Sequence, residues 1–286
     1  MGERYGRTPV VAGRFYPHDT DSLRTAVRGW LAVPPPPEDD NVSGRLWGMM
    51  LPHAGYEYCG RVVGATLAGQ VLPRHVVILC PNHTGYGHHL GIWPEGVWLT
   101  PLGFVPVEET LITPLIQSDG GFAVDKPCHE MEHSIEVLLP FLQELSPDLC
   151  ITPVCVGTRD PAVLARAGQG LAKALTAWQN AGVETMVIVS SDMNHFEDEA
   201  TTLEKDNLAL AQALACDADG LLRTVSANKI TMCGASPLAV ALFAAHALGS
   251  PSARLMAHDT SATVSGDTSY AVGYAGLRIY LDAGAN

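Results

Sequence analysis

Residues 46–56 read Leu-Trp-Gly-Met-Met-Leu-Pro-His-Ala-Gly-Tyr, a run of strand length that is apolar on both faces and ends in a proline and a histidine. Two other stretches repeat the pattern. Residues 75–83 read His-Val-Val-Ile-Leu-Cys-Pro-Asn-His, and residues 185–195 read Thr-Met-Val-Ile-Val-Ser-Ser-Asp-Met-Asn-His. A strand that is apolar on both sides needs cover on both sides, which predicts a sheet held between two layers of helices. Helical spacing around these runs supplies the cover, over residues 20–32, 61–69, 161–178, 203–215 and 235–248. In the first of these, Asp19-Thr20-Asp21 offers caps ahead of Leu23, Val27 and Leu31, whose four-residue spacing builds one apolar face. Further strands are expected at 151–156, 254–257 and 270–281. The expected fold is α/β, a central mostly parallel or mixed sheet flanked by helices.

Working outward, the run Pro34–Pro37 followed by Glu38-Asp39-Asp40 predicts a polar surface loop, and nothing else in the 286 residues reads as a linker or repeat. One domain over 1–286 is the expectation. The chain carries 17 Lys+Arg against 30 Asp+Glu, a formal charge of −13, which argues against nucleic acid or an anionic membrane as partner. Its seven cysteines form no CxxC pair and are odd in number, which fits reduced thiols in a cytoplasmic protein. The N-terminus lacks the apolar core of a signal peptide. The stretch Ile230–Ala253 has no Asp, Glu, Lys or Arg, but Pro237, His246 and Gly249 interrupt it, so it reads as a buried helix.

Each of the three quoted strands delivers a histidine just past its C-terminal tip: His53, His83 and His195. In open α/β sheets the carboxyl ends of the strands form the ligand crevice, so residues distant in sequence can meet there. Neutral imidazoles are common metal ligands, and two of them with one anionic ligand leave open positions on a first-row metal. Spacing leaves the anion open among Asp192, Glu136, Asp267 and Cys233, the last preceding a glycine at a helix N-terminus. His133 and Glu136, at the head of a helix expected from Ile135, would share a face as a relay pair near the crevice, or Glu136 would cap the helix. Phe15, Tyr16, Tyr56 and Tyr58 would line a pocket or fill the core.

Two local strings compete. His129-Glu130-Met131-Glu132-His133 satisfies HExxH, which in zinc peptidases puts two histidines one helical turn apart. Here the helical spacing begins only after it. Gly85-Tyr86-Gly87-His88-His89-Leu90 follows a strand like a dinucleotide loop, but lacks the third glycine and leads into Gly91-Ile92-Trp93-Pro94, which is no helix.

Six motifs together resemble the Memo family, which includes the bacterial and archaeal AmmeMemoRadiSam system protein B. They are GRFYP at 13–17, LPHAGYEYCG at 51–60, PNH at 81–83, EHSIEVLLPFL at 132–142, SSDMNHF at 190–196 and MCGASP at 232–237. The resemblance implies a fold like that of class III extradiol ring-cleaving dioxygenases. It also implies a metal site on His53, His83 and Cys233, with Asp192 and His195 matching the family's SSDxxH pair and His195 resembling the dioxygenase base. Tyr58, Tyr16, His133 and Glu136 would then line the substrate's space or stand behind the ligands. The implied cofactor is iron(II), with copper or zinc as alternatives. Thiolate in place of carboxylate donates more charge and is itself oxidisable, so ring cleavage does not transfer automatically. Three functions follow as expectations: a metal-dependent oxidoreductase acting on a small aromatic substrate, a non-catalytic peptide or partner binder using the same crevice, and a zinc peptidase at His129/His133. The resemblance also implies a pathway association with a radical SAM protein.

Overall fold

Four strands set the frame: Arg45–Leu51, Thr185–Ser190, His75–Pro81 and Cys150–Val156 lie side by side in that order, and every neighbouring pair is parallel. Their carboxyl ends therefore share one edge. The structure, a computed structural model, describes residues 6–34 and 44–282. The acidic loop expected at 38–40 lies outside the described residues. Met49, Met50, Leu51, Ile78, Leu79, Ile188 and Val189 are wholly buried, as strands apolar on both faces require, and each such side chain contributes about 1.5–3 kcal/mol by leaving water. Five further strands complete a sheet of nine among the described residues, with His195–Glu197 antiparallel to Ala271–Asp282 and Ala123–Val124 parallel to Leu90–Ile92 at the edges. Ala271–Asp282 joins one flank with Ser250–Thr260 beside it, and Leu90–Ile92 joins the other. The sheet is thus mixed, as expected for this α/β class.

Helices Thr20–Leu31, Tyr56–Leu67, Pro161–Asn180, Glu199–Leu214 and Ala235–Leu248 cover the faces. Two of them approach unusually closely. A Cβ on Gly60 would come within 2.6 Å of the Trp30 ring, and one on Gly64 would meet the Trp30 carbonyl, so this crossing admits only glycine at both positions. The stretch around 230–253 forms a buried 14-residue helix, Ala235–Leu248. Among the described residues no helix is long and apolar enough to cross a membrane.

Three features depart from the sequence expectations. A helix over Ala218–Ala227 and a small sheet of Gly6–Arg7, Val97–Thr100 and Gly103–Pro106 were not foreseen. The helix expected from Ile135 begins at Leu139, with Pro140 in its first turn, where the missing N–H and fixed φ of proline suit a start rather than an interior. Residues 131–138 are irregular chain and turns, and this displaces two of the candidate residues discussed below.

Candidate metal centre

His53 follows Arg45–Leu51, and its position is fixed by two hydrogen bonds. Its backbone N–H donates to Asp192 Oδ1 at 2.7 Å, tying together the tips of two adjacent strands. Ser190 donates its hydroxyl proton to the Ser134 carbonyl at 2.7 Å, so Ser190 Oγ is left to accept from His53 Nδ1 at 2.7 Å. The proton of the ring therefore sits on Nδ1 and the lone pair on Nε2. Burial holds the His53 pKa well below that of a free imidazole, with His83 and His133 adding to the effect. Only 2% of this residue is exposed.

His83 lies two residues past His75–Pro81 and is held by Glu132. The ring Nδ1 donates to Glu132 Oε1 at 2.9 Å and the backbone N–H to Oε2 at 2.6 Å. Ser134 adds two more donors to Oε1, from its backbone N–H at 3.0 Å and its hydroxyl at 2.7 Å. Burial alone would push the Glu132 carboxyl up, but the hydrogen bonds and charge of His83 with those of Ser134 outweigh it and hold the group well below the usual carboxylate range. Correspondingly, burial pulls His83 down while the Glu132 bond and charge raise it by more. A carboxylate behind a histidine in this way fixes the ring and makes its free nitrogen a better ligand.

The third imidazole is His133. One ligand atom from each of His53, His83 and His133 lies within 4.8 Å of the others. The ring centroids stand 5.3 Å, 5.6 Å and 5.0 Å apart for the pairs 53/83, 53/133 and 83/133. His133 comes from the irregular stretch 131–138, and Phe15 of the GRFYP motif packs edge-on against it at 5.0 Å. Burial lowers the His133 pKa as well. Nitrogen ligands sit about 2.0–2.1 Å from a bound metal, so a triangle of this size is within reach of one ion. The donor set fits a first-row metal.

Cys233 stands beside this triangle. Its Sγ lies 3.5 Å from His53 Nε2 and receives the Asp192 backbone N–H at 3.2 Å. Burial pushes the thiol pKa well up, and the Asp192 charge adds to that. A cation at the cluster acts in the opposite sense, since a coordinating thiol loses its proton. Asp192 is itself pushed up by burial, against the pull of His195 and the His53 N–H.

His195, at the tip of the third quoted strand, is not one of the three converging imidazoles. Its backbone N–H donates to Thr231 Oγ1 at 2.7 Å, and its Nδ1 faces the Thr231 carbonyl at 3.2 Å, which places the proton on Nδ1 and frees Nε2. It stands near enough for its charge to act on both His53 and Asp192. The next residue, Phe196, has φ 67, rare for an aromatic side chain, and stacks on Tyr270 at 5.1 Å with both rings largely exposed.

Glu136 neither shares a face with His133 nor caps a helix. It accepts from Arg7 at 2.6 Å, Tyr16 Oη at 2.7 Å, and the backbone N–H groups of Val10 at 2.9 Å and Val11 at 3.0 Å. Tyr16 is 3% exposed with its hydroxyl committed to this carboxylate, and Tyr56 donates to the Val137 carbonyl at 2.7 Å within the core. Tyr58 is half-buried against the core, and Asp267 is an exposed turn residue bound to Ser269. The HExxH geometry does not form. The helix Pro127–Glu130 ends before His133, and the His129 ring lies buried between Trp93 and Trp98 with Nε2 on the Gly91 carbonyl at 3.1 Å. Residues 90–92, expected only to be no helix, form a strand.

Sequence reasoning passed over Arg7, Glu132, Ser190 and Thr231. Glu132 and Ser190 sit inside quoted motifs, and the signal was their adjacency to His133 and Ser191. Arg7 gave none. It bonds the carbonyls of His129 and Glu132 as well as the Glu136 carboxylate, and its guanidinium lies 4.4 Å over the Trp98 ring.

The Memo-like protein family model matches residues 7–278. A MEMO1 family protein of Thermotoga neapolitana is 41% identical over 281 residues, covering 94% of this chain and 97% of the relative. One from Ignicoccus hospitalis is 38% identical over 285 residues, covering 96% and 99%, and one from Sulfurisphaera tokodaii is 34% identical over 283 residues, covering 95% and 98%. The α/β sheet flanked by helices is consistent with the class III extradiol dioxygenase-like fold that the motif resemblance implies. On the span of that match and the identity of these relatives, the chain belongs to the Memo family.

Proposed function

We propose that this chain is a cytoplasmic metal-dependent oxidoreductase acting on a small aromatic substrate, with one metal ion anchored by His53 and His83. The observation that carries this reading is the pair of rings, each holding its proton on the side away from the cluster, His53 on Ser190 and His83 on Glu132. Surface histidines have no reason to be fixed in this way. His133 and Cys233 are the two candidates for the third position. A harder ion favours the His133 nitrogen, and a softer one favours the Cys233 sulfur, which the motif resemblance also implies. Bound iron(II) or copper would supply one-electron chemistry with O₂, whereas zinc would supply Lewis acidity alone.

The chain's own contribution is proton handling and exclusion of water. His195, with Nε2 free and Nδ1 turned to Thr231, accepts a proton from a substrate hydroxyl. Asp192 holds the His53 backbone in place and sets the local field, and Phe15 and the buried strands behind the cluster keep bulk water from its rear face. The test is oxygen uptake by iron(II)-loaded protein with a panel of catechols. Uptake that His195→Gln abolishes while metal is retained supports the proposal; no uptake with any catechol by fully loaded protein rejects it.

The exposed Phe196–Tyr270 stack beside His195 favours a second reading, a peptide or partner protein bound across the same crevice without turnover. A radical SAM protein is the first partner to try. Capture that Phe196→Ala abolishes, with no oxygen uptake, would replace the first reading with this one.

A further inference from the structure

A cleft of about 1130 Å³ opens beside the cluster and shares a wall with it. Thr231, which holds His195, and Cys233, whose Sγ is 3.5 Å from His53, both line it. Arg159 lines it as well, three residues past Cys150–Val156 at the same carboxyl edge of the sheet. There a Cβ on Gly157 would come within 3.1 Å of Asn82, so this turn packs on the loop that carries His83.

The charge of the cleft runs against that of the chain. A protein with 30 acidic and 17 basic side chains lines this cleft with Arg159, Arg223 and Lys229 against one acid, Asp219. Arg223 reaches Asp217 only at 3.8 Å, and its side chain is 72% exposed. Arg159 and Lys229 make no ion pair among the described residues. Leu222, Val225, Ile230 and Met232 give the cleft an apolar wall, with the hydroxyls of Ser226, Thr231 and Ser236 beside it. The helix Ala235–Leu248, which begins at this wall, has no side-chain cap and adds the positive end of its dipole.

From these observations we infer that the cleft binds a small organic carboxylate: an apolar body against Leu222, Val225, Ile230 and Met232, and an anionic group between Arg159 and Lys229. Binding of the anion does not depend on the metal. Its meaning as the seat of the substrate's non-reacting end rests on the proposed function above.

The probe is anilinonaphthalenesulfonate, an apolar body with one negative charge, titrated into the full chain by fluorescence. It is then displaced with 4-phenylbutyrate or with the uncharged 4-phenylbutanol. The expected result is saturable binding at one site, weakened by salt, with the carboxylate displacing the probe at a concentration lower by about 10-fold or more than the alcohol. Arg159→Gln combined with Lys229→Asn should weaken both ligands' anionic preference by about as much. Asparagine suits position 229, where φ is 50. Leu222→Trp, which fills the apolar wall, should block the probe with the charges intact. Equal displacement by acid and alcohol, or binding unchanged in the charge variant and in Leu222→Trp, would overturn the inference. Metal content measured on the same samples separates the two claims: anion binding without metal sinks only the proposed function, and metal without anion binding sinks only this inference.

Discussion

Glu132 and Glu136 lie four residues apart in one irregular stretch, and both side chains are wholly buried. Glu136 meets a permanent cation, Arg7, and collects Tyr16 and two backbone N–H groups of the N-terminal segment. Glu132 meets an imidazole, His83, whose other nitrogen is left for a ligand. The two carboxylates are alike in burial and opposite in use. Glu136 fastens the chain's beginning to its middle, whereas Glu132 sets the orientation and basicity of one metal-binding candidate. What decides the role is the partner: guanidinium cannot release its proton and serves as a rivet, while imidazole can exchange its proton for a metal.

The sharpest way to break this contrast is Glu136→Ala. It leaves Arg7 buried without its counter-charge, and removing one partner of a buried pair costs about 3–5 kcal/mol. Urea denaturation should show that loss as a lower midpoint. A smaller effect is expected from Glu132→Gln, which keeps shape but removes the charge behind His83. Metal affinity should fall by about 10–100-fold, read by chelator competition, and the denaturation midpoint of the metal-free protein should fall less than in Glu136→Ala, since the Gln amide N–H faces a donor that the carboxylate accepted from. If instead Glu136→Ala loses metal selectively at full stability, the division of labour is wrong.

A third carboxylate calibrates both. Glu144 lies near the surface between Arg24 at 3.0 Å and Arg28 at 2.7 Å. Burial pushes its carboxyl up, and the two arginines outweigh that and hold it below its ordinary value. Such a depressed carboxyl stabilises the fold fully above the unfolded value of about 4.3 and loses that contribution as pH falls through the folded value. Solvent screening keeps it under about 1 kcal/mol. The gap between wild type and Glu144→Gln should therefore be small at pH 7 and should close on acidification.

The contrast also marks where the sequence stops being legible. The parallel strands, and with them His53, His83 and Asp192, follow from apolar runs that end in polar residues, whereas Cys233 is singled out from the anion candidates only by the motif resemblance. The strand signal is local and its physics is general. His133 and Glu132 could not be placed in the same way, because the apolar spacing from Ile135 reads as a helix that in fact begins only at Leu139. The HExxH string misleads there for a related reason: the helix holding its first histidine is only four residues long. Arg7 pairs with residues more than 120 positions away, and no spacing rule reaches that far.

One measurement bears most directly on the whole account: metal content of protein purified without oxygen, for wild type beside His53→Ala and His83→Ala. Stoichiometric metal in wild type and its loss in both variants, with unchanged circular dichroism, is the predicted outcome; equal metal in all three would contradict the account.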